Sequence, residues 1–111
     1  MLQSNPPARI VLTTAADADE ARRLGRTLVE EHLAACATLA PAVHSIYEWR
    51  GEIESADETL LLLKTTLHKL ALLETRLCEL HSYKTPEFLV LTVEAGSNAY
   101  LDWLESCLRR N

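Results

Sequence analysis

Two side chains stand out as donors for a transition metal. Cys36 offers sulfur, which suits Cu(I), and His81 offers an imidazole, which suits Cu(II) or Zn(II). Each also has a structural reading. Cys36 sits among small apolar residues, where a buried thiol is inert filler. His81 follows a leucine-rich segment, where an imidazole can cap a helix end. Two donors do not make a site. Lys64 interrupts an apolar run and must pair or reach water. With Glu58, Glu87 or Tyr83 nearby it could hold an anion, or it could form an ion pair between subunits. Glu48, Glu52, Glu54, Asp57 and Glu58 crowd one stretch and could gather cations, although a charged hairpin tip that resists edge pairing explains them as well. Cys78, Cys107, His32 and His44 read as structural. No nucleophile–base arrangement, Gly-rich phosphate loop or HExxH motif appears, so an enzyme is not expected.

These residues depend on a long central hairpin for their positions. Val43, Ser45, Tyr47 and Trp49 alternate with His44, Ile46 and Glu48, and Gly51 can take the positive φ of a tight turn before a second run from Ile53 to Leu67. Leu60-Leu61-Leu62-Leu63 leaves neither face of that second run for solvent. Strands of roughly 15 residues would reach about 50 Å, against a radius of gyration near 13 Å for a chain of this size. The tip, with Tyr47, Trp49 and Ile53, then projects and needs a second subunit to cover it. A bend or break at Pro41 would instead give shorter strands and a compact monomer.

The remaining elements fall around the hairpin. Residues 1–8, with Pro6-Pro7, read as a flexible lead-in, and 9–111 as one domain. Arg9 to Thr14 is a first, central strand. Asp17 and Glu20 have capping-box spacing ahead of a helix from about Ala18 to Glu31, in which Gly25 implies close approach to a strand. Leu67, Leu70, Leu73, Leu77 and Leu80 mark a second helix, with Thr66 as its N-cap. Glu87 to Val93 is an apolar, buried strand. A last helix after Gly96-Ser97 carries a stripe of Tyr100, Trp103, Leu104, Cys107 and Leu108, with Arg109-Arg110 at its carbonyl end. The fold class is α+β, a ferredoxin-like βαββαβ sandwich with a long central hairpin and an extra C-terminal helix.

Composition narrows the function. The chain has 111 residues, 48% of them hydrophobic, and can build a core without staples. A formal net charge of −5 and the lack of clustered Lys and Arg argue against nucleic acid. No apolar run approaches the roughly 20 residues of a spanning helix, and Met1 to Asn5 lacks a basic leader, so no membrane partner is expected. Three cysteines without a CxxC pair read as free thiols of a cytoplasmic protein.

Several motifs, in order, resemble the CutA family of divalent-cation tolerance proteins: Leu33-Ala-Ala-Cys36-Ala, Ser45-Ile-Tyr47-Glu-Trp49-Arg-Gly51, Glu58, Lys64-Thr65, His81-Ser-Tyr83-Lys-Thr-Pro86-Glu87 and Tyr100-Leu-Asp-Trp103-Leu. The resemblance spans about Val11 to Leu108. It implies a homotrimer similar in plan to the PII signalling proteins and a role in tolerance to divalent metals, copper above all. It also places Tyr47, Trp49, Glu58, Lys64, His81, Tyr83, Pro86 and Glu87 at clefts between subunits. The chain departs from the family where Ser82 replaces the usual proline, which leaves that loop less fixed. It departs again where Thr13 and Leu80-His81 stand in place of a cysteine and paired histidines of copper-linked members, which thins any copper site. The alternative is a PII-like signalling or assembly module that binds a small anion or a protein partner.

Overall fold

The computed structural model describes residues 1–109. Its elements are β1 (Leu2–Ser4), β2 (Ala8–Ala15), α1 (Ala18–Glu30), β3 (Cys36–Trp49), β4 (Glu52–Thr66), α2 (Leu70–Leu80), β5 (Leu89–Thr92), β6 (Ala95–Ser97) and α3 (Asn98–Leu108). β3, β4, β2 and β5 lie side by side in that order in an antiparallel sheet, so β2 is interior as expected. Alternation along β2 and β4 turns Val11, Leu61 and Leu63 toward α1 and α2, where Leu24, Leu28, Leu73 and Leu77 close the main core. The other face carries Ile10, Leu12, Leu60 and Leu62, and all four are only half-buried. α3 covers one end of the sheet through Ala8, Ala35, Leu101, Leu104 and Leu108.

The central hairpin forms as its sequence requires. β3 and β4 meet across Arg50-Gly51, whose φ values of 52° and 81° are the paired left-handed conformations of a type I′ turn. The molecule measures 47 Å along its long axis. Pro41 neither breaks nor ends β3. The register instead shifts between Ala40 and Val43, with Ala42 at φ 63°, so one extra residue is absorbed as a β-bulge. The bulge inverts the alternation of β3. Before it, Cys36 and Thr38 share a face with Lys64 and Leu62; after it, Val43, Ser45, Tyr47 and Trp49 share one with Glu58, Ala56, Glu54 and Glu52.

Four expectations are corrected. The segment read as a flexible lead-in contains β1, which pairs with β6 from Leu2↔Ser97 to Ser4↔Ala95 and so ties the start of the chain to α3. The apolar strand expected from Glu87 to Val93 runs only over Leu89–Thr92 and lies at the sheet edge, with Leu89, Val90 and Leu91 exposed on the single chain. Its composition called for two covered faces, and the edge position leaves them open in the single chain. α2 opens through a 3-10 turn at Leu67–Lys69, and the Thr66 side chain makes no cap. In α3 the buried stripe is Leu101, Leu104 and Leu108, which leaves Tyr100 and Trp103 nearly half exposed. Arg110 lies outside the described residues.

Gly25 shows why α1 can sit so low on the sheet. A Cβ built there would stand 2.9 Å from Ala37 Cβ, a contact that neither side chain can rotate away. Alanine gains about 1 kcal/mol of helix propensity over glycine, whereas overpacking costs about 1–3 kcal/mol. Gly25→Ala is therefore expected to destabilise by roughly 1 kcal/mol in urea unfolding. Ala37→Gly added to it should return more stability than the same change does alone; an additive double variant would show that the contact is not the cause.

Candidate functional site

The site grows from the N-terminus of α1. Asp17 caps the helix, its carboxylate accepting from Glu20 N–H at 2.8 Å. In a capping box Glu20 would reach back to Asp17 N–H. Here it accepts from Ala16 N–H at 3.2 Å and then spans to the loop after α2, taking Ser82 N–H at 2.8 Å and Ser82 Oγ–H at 2.9 Å. Glu20 is buried. Burial alone would raise its carboxyl, but the Ser82 hydroxyl and the two backbone N–H donors hold it below the usual carboxylate range. Ser82 thus fixes the loop that its departure from proline was expected to loosen: proline has neither the N–H nor the hydroxyl.

His81 is the next link. Its Nε2–H donates to Thr14 C=O at 2.8 Å, and its Nδ1 accepts Tyr83 N–H at 3.0 Å. Both ring nitrogens are engaged and the side chain is fully buried. Nδ1 stands 3.8 Å from Glu20, but the Tyr83 N–H already occupies its lone pair, so it has no proton to share with the carboxylate. His81 is therefore a positioning residue with no free lone pair for a metal. Its backbone N–H caps α2 by donating to Leu77 C=O, while its ring Nε2–H donates to Thr14 C=O, not to an α2 carbonyl.

Tyr83, set by this chain of contacts, packs its ring on His81 with centroids 4.7 Å apart and donates its hydroxyl to Glu58 Oε2 at 2.7 Å. Burial first, then the hydrogen bond and charge of Glu58, push the phenol well above its usual range. Glu58 is only 8% exposed. Glu87 lies close enough to feel it: burial and then the Glu58 charge raise the Glu87 carboxyl above its ordinary value. Around this group opens a cleft of about 630 Å³, lined by Tyr47, Trp49, Glu58, Tyr83 and Glu87 among others. Those five are sequence candidates, and the bulge in β3 is what turns Tyr47 and Trp49 toward them.

Other candidates fall elsewhere. Pro86 joins Thr85 to Glu87, two residues of the cleft wall, without lining it itself. Lys64 is six residues from Glu58 along β4, or roughly 20 Å. Its Nζ is 3.4 Å from Thr38 Oγ1 and 3.8 Å from Cys36 Sγ, so neither the proposed anion site with Glu58 and Tyr83 nor an ion pair to them forms within the chain. Cys36 pairs with Lys64, four residues along β4 from Leu60, which faces the Thr14 that holds His81. That separates the strand positions of the two metal candidates by about 13 Å along the sheet and by two strand spacings, about 10 Å, across it. Among the described residues no three His, Cys, Asp or Glu side chains converge as metal ligands. Thr13 is fully buried in the core. Sequence reasoning missed Ser82 as a contact and saw Glu20 only as a cap; the Asp17–Glu20 spacing was the available signal.

The Glu20 link gives stability a pH dependence. Its folded-state carboxyl is lowered, so its contribution is full above the unfolded value near 4.5 and is lost as pH falls through the lower folded value. Glu20→Gln should cost about 1.5–3 kcal/mol at neutral pH, the range of hydrogen bonds to a charged group. It should also flatten the stability profile below pH 4.5. Urea midpoints measured at successive pH values check both.

Comparison with known proteins agrees with this architecture. The family described as CutA1 divalent ion tolerance protein matches residues 9–107. The divalent-cation tolerance protein CutA of Thermus thermophilus is 44% identical over 95 residues, covering 86% of this chain and 92% of its own. That of Escherichia coli is 47% identical over 107 residues, covering 96% and 95%. The CutA structure from Synechococcus elongatus superposes with a TM-score of 0.93 at 41% identity, over 97% of this chain and 96% of that one. The fold and these relatives together make the chain a member of the CutA1 divalent ion tolerance family.

Proposed function

We propose that this protein acts as a cytoplasmic homotrimer in tolerance to divalent cations and takes up a divalent ion at the cleft carboxylates of Glu58 and Glu87. The observation that carries this reading is the Glu58–Glu87 pair itself. Two carboxylates lie close enough for one to raise the other, and among the described residues neither has a salt-bridge partner. A bound cation would relieve that repulsion. Copper is the ion to examine first, because at a given set of oxygen and nitrogen donors Cu(II) binds most tightly of the first-row divalent ions. Carboxylates alone make a weak site, which suits an ion that must be released.

The trimer reading draws on exposed apolar surface. Ile46 and Ile53 near the hairpin tip are 71% and 72% exposed, and Leu89 and Leu91 stand exposed on edge strand β5. Both sheet edges, β3 and β5, are unpaired in the single chain. Added strands from neighbouring copies would cover tip, edges and the half-buried face together. The free thiols of Cys36, Cys78 and Cys107 fit a reducing compartment, and no helix among the described residues is long and apolar enough to cross a membrane. The PII-like alternative shares this assembly; its anion has less support, since Lys64 lies outside the acidic cleft.

Calorimetric titration with copper(II), with particle mass measured in the same buffer, tests the reading. Saturable binding is expected to weaken at least roughly tenfold when Glu58→Gln and Glu87→Gln are combined, about 1.4 kcal/mol. His81→Ala is expected to lower stability without removing the donors. Binding unchanged in the double carboxylate variant would refute the site, and a monomeric mass would refute the assembly.

A further inference from the structure

We propose that the cleft is built for a small organic ammonium ion, its charge held by Glu58 and Glu87 and its apolar body against the Tyr47 ring. The inference rests on the cleft being a cation site, as above, but not on that cation being a metal.

Three observations carry it. The first is size: about 630 Å³ is far more than a bare ion occupies and lies within the range of small-molecule sites. The second is charge. The wall carries Glu54, Glu58 and Glu87 against one ammonium, Lys84, which repels an anion and attracts a cation. Glu58 is more than nine-tenths buried, yet only its Oε2 has a hydrogen-bond partner, the Tyr83 hydroxyl. Its Oε1 is left for a donor that the described residues do not supply.

The third is the aromatic wall. Divalent metal ions take oxygen, nitrogen or sulfur donors and make no use of ring faces. An ammonium does: it is attracted to the electron-rich face of an aromatic ring within about 6 Å, most strongly when both are withdrawn from water. The hairpin already shows the chemistry, for the Arg50 guanidinium stands 5.6 Å from the centre of the Trp49 ring. Arg50 is not part of the cleft wall and leaves Tyr47 as the less committed ring. The hydroxyls of Thr14, Ser45 and Thr85 border the same space and accept hydrogen bonds from N–H donors. Carboxylate, ring face and hydroxyl together describe the surroundings of an alkylammonium.

The test is titration of the intact protein with n-butylammonium chloride at fixed ionic strength, followed by calorimetry, with butyrate and 1-butanol as isosteric controls. Saturable binding of butylammonium alone is expected, weakened on the order of tenfold in Glu58→Gln and in Tyr47→Ala. Tyr47 is 42% exposed in the single chain, and Tyr47→Leu, which removes the ring but keeps apolar bulk for any packing between copies, is run beside the alanine variant with particle mass measured in the same buffer. The pair also separates this proposal from the metal reading, because losing a ring should weaken the ammonium and leave a metal bound by carboxylates unchanged. No saturable butylammonium binding, equal binding of butyrate or butanol, or full affinity in Tyr47→Ala would overturn the proposal.

Discussion

The cleft depends on one buried carboxylate. Glu20 receives two backbone N–H groups and one hydroxyl, and in doing so joins the start of α1 to the loop that follows α2. Such a group is stable in the interior only because its oxygens are hydrogen-bonded; an unpaired buried charge would cost several kcal/mol. Everything that faces the ligand space from the loop side follows from this link. Ser82 held on Glu20 sets His81, whose ring is fixed at both nitrogens, and His81 sets Tyr83 through the backbone and by ring contact. The Tyr83 hydroxyl then orients Glu58 across a separation of 25 residues. The side chains that look most reactive in the sequence are thus spent on construction.

The opposite wall is set by backbone geometry. A regular β3 would turn Ala42, His44, Ile46 and Glu48 to the face occupied by Glu58. The bulge at Pro41-Ala42 shifts the alternation by one, so Tyr47 and Trp49 face it instead. The shift requires Ala42 to hold φ 63°, a conformation that disfavours residues with a Cβ by about 1–2 kcal/mol. Strain of this kind persists when the ladders on either side over-determine it, and β3 and β4 are paired on both sides of the bulge.

Much of the fold could be read from local pattern. The Arg50-Gly51 turn, the period of the leucines from Leu70 to Leu80, and the tight seat of Gly25 each follow from one short stretch and one physical rule. What could not be read depends on partners distant in sequence. β1 finds β6 more than ninety positions away, as Leu2 meets Ser97, and nothing in Leu2-Gln3-Ser4 announces it. β5 looks buried by composition, yet it lies at the sheet edge with Leu89, Val90 and Leu91 exposed on the single chain. At the site, the cleft aromatics and carboxylates were legible as types. The histidine was misleading, since its availability turns on Thr14 C=O and Tyr83 N–H, both backbone groups that no side-chain motif encodes.

The unbalanced charge of the cleft needs its own explanation. A carboxylate at position 58 that served only to accept the Tyr83 hydroxyl could be a neutral glutamine, which would spare the cost of placing a second negative group beside Glu87. Among the described residues neither glutamate forms a salt bridge, and the cleft wall sets a single ammonium, Lys84, against three carboxylates, while Arg22, Arg26 and Arg76 are spent on salt bridges elsewhere on the surface. The charge is therefore not balanced by a salt bridge among the described residues. A neighbouring subunit docked on the hairpin would bury these carboxylates further and raise that repulsion, so whatever neutralises them gains in effect as the assembly closes. In the assembly proposed above, cation binding and closure would be coupled, because a ligand that binds the closed form better must, by the same free energy, favour closure.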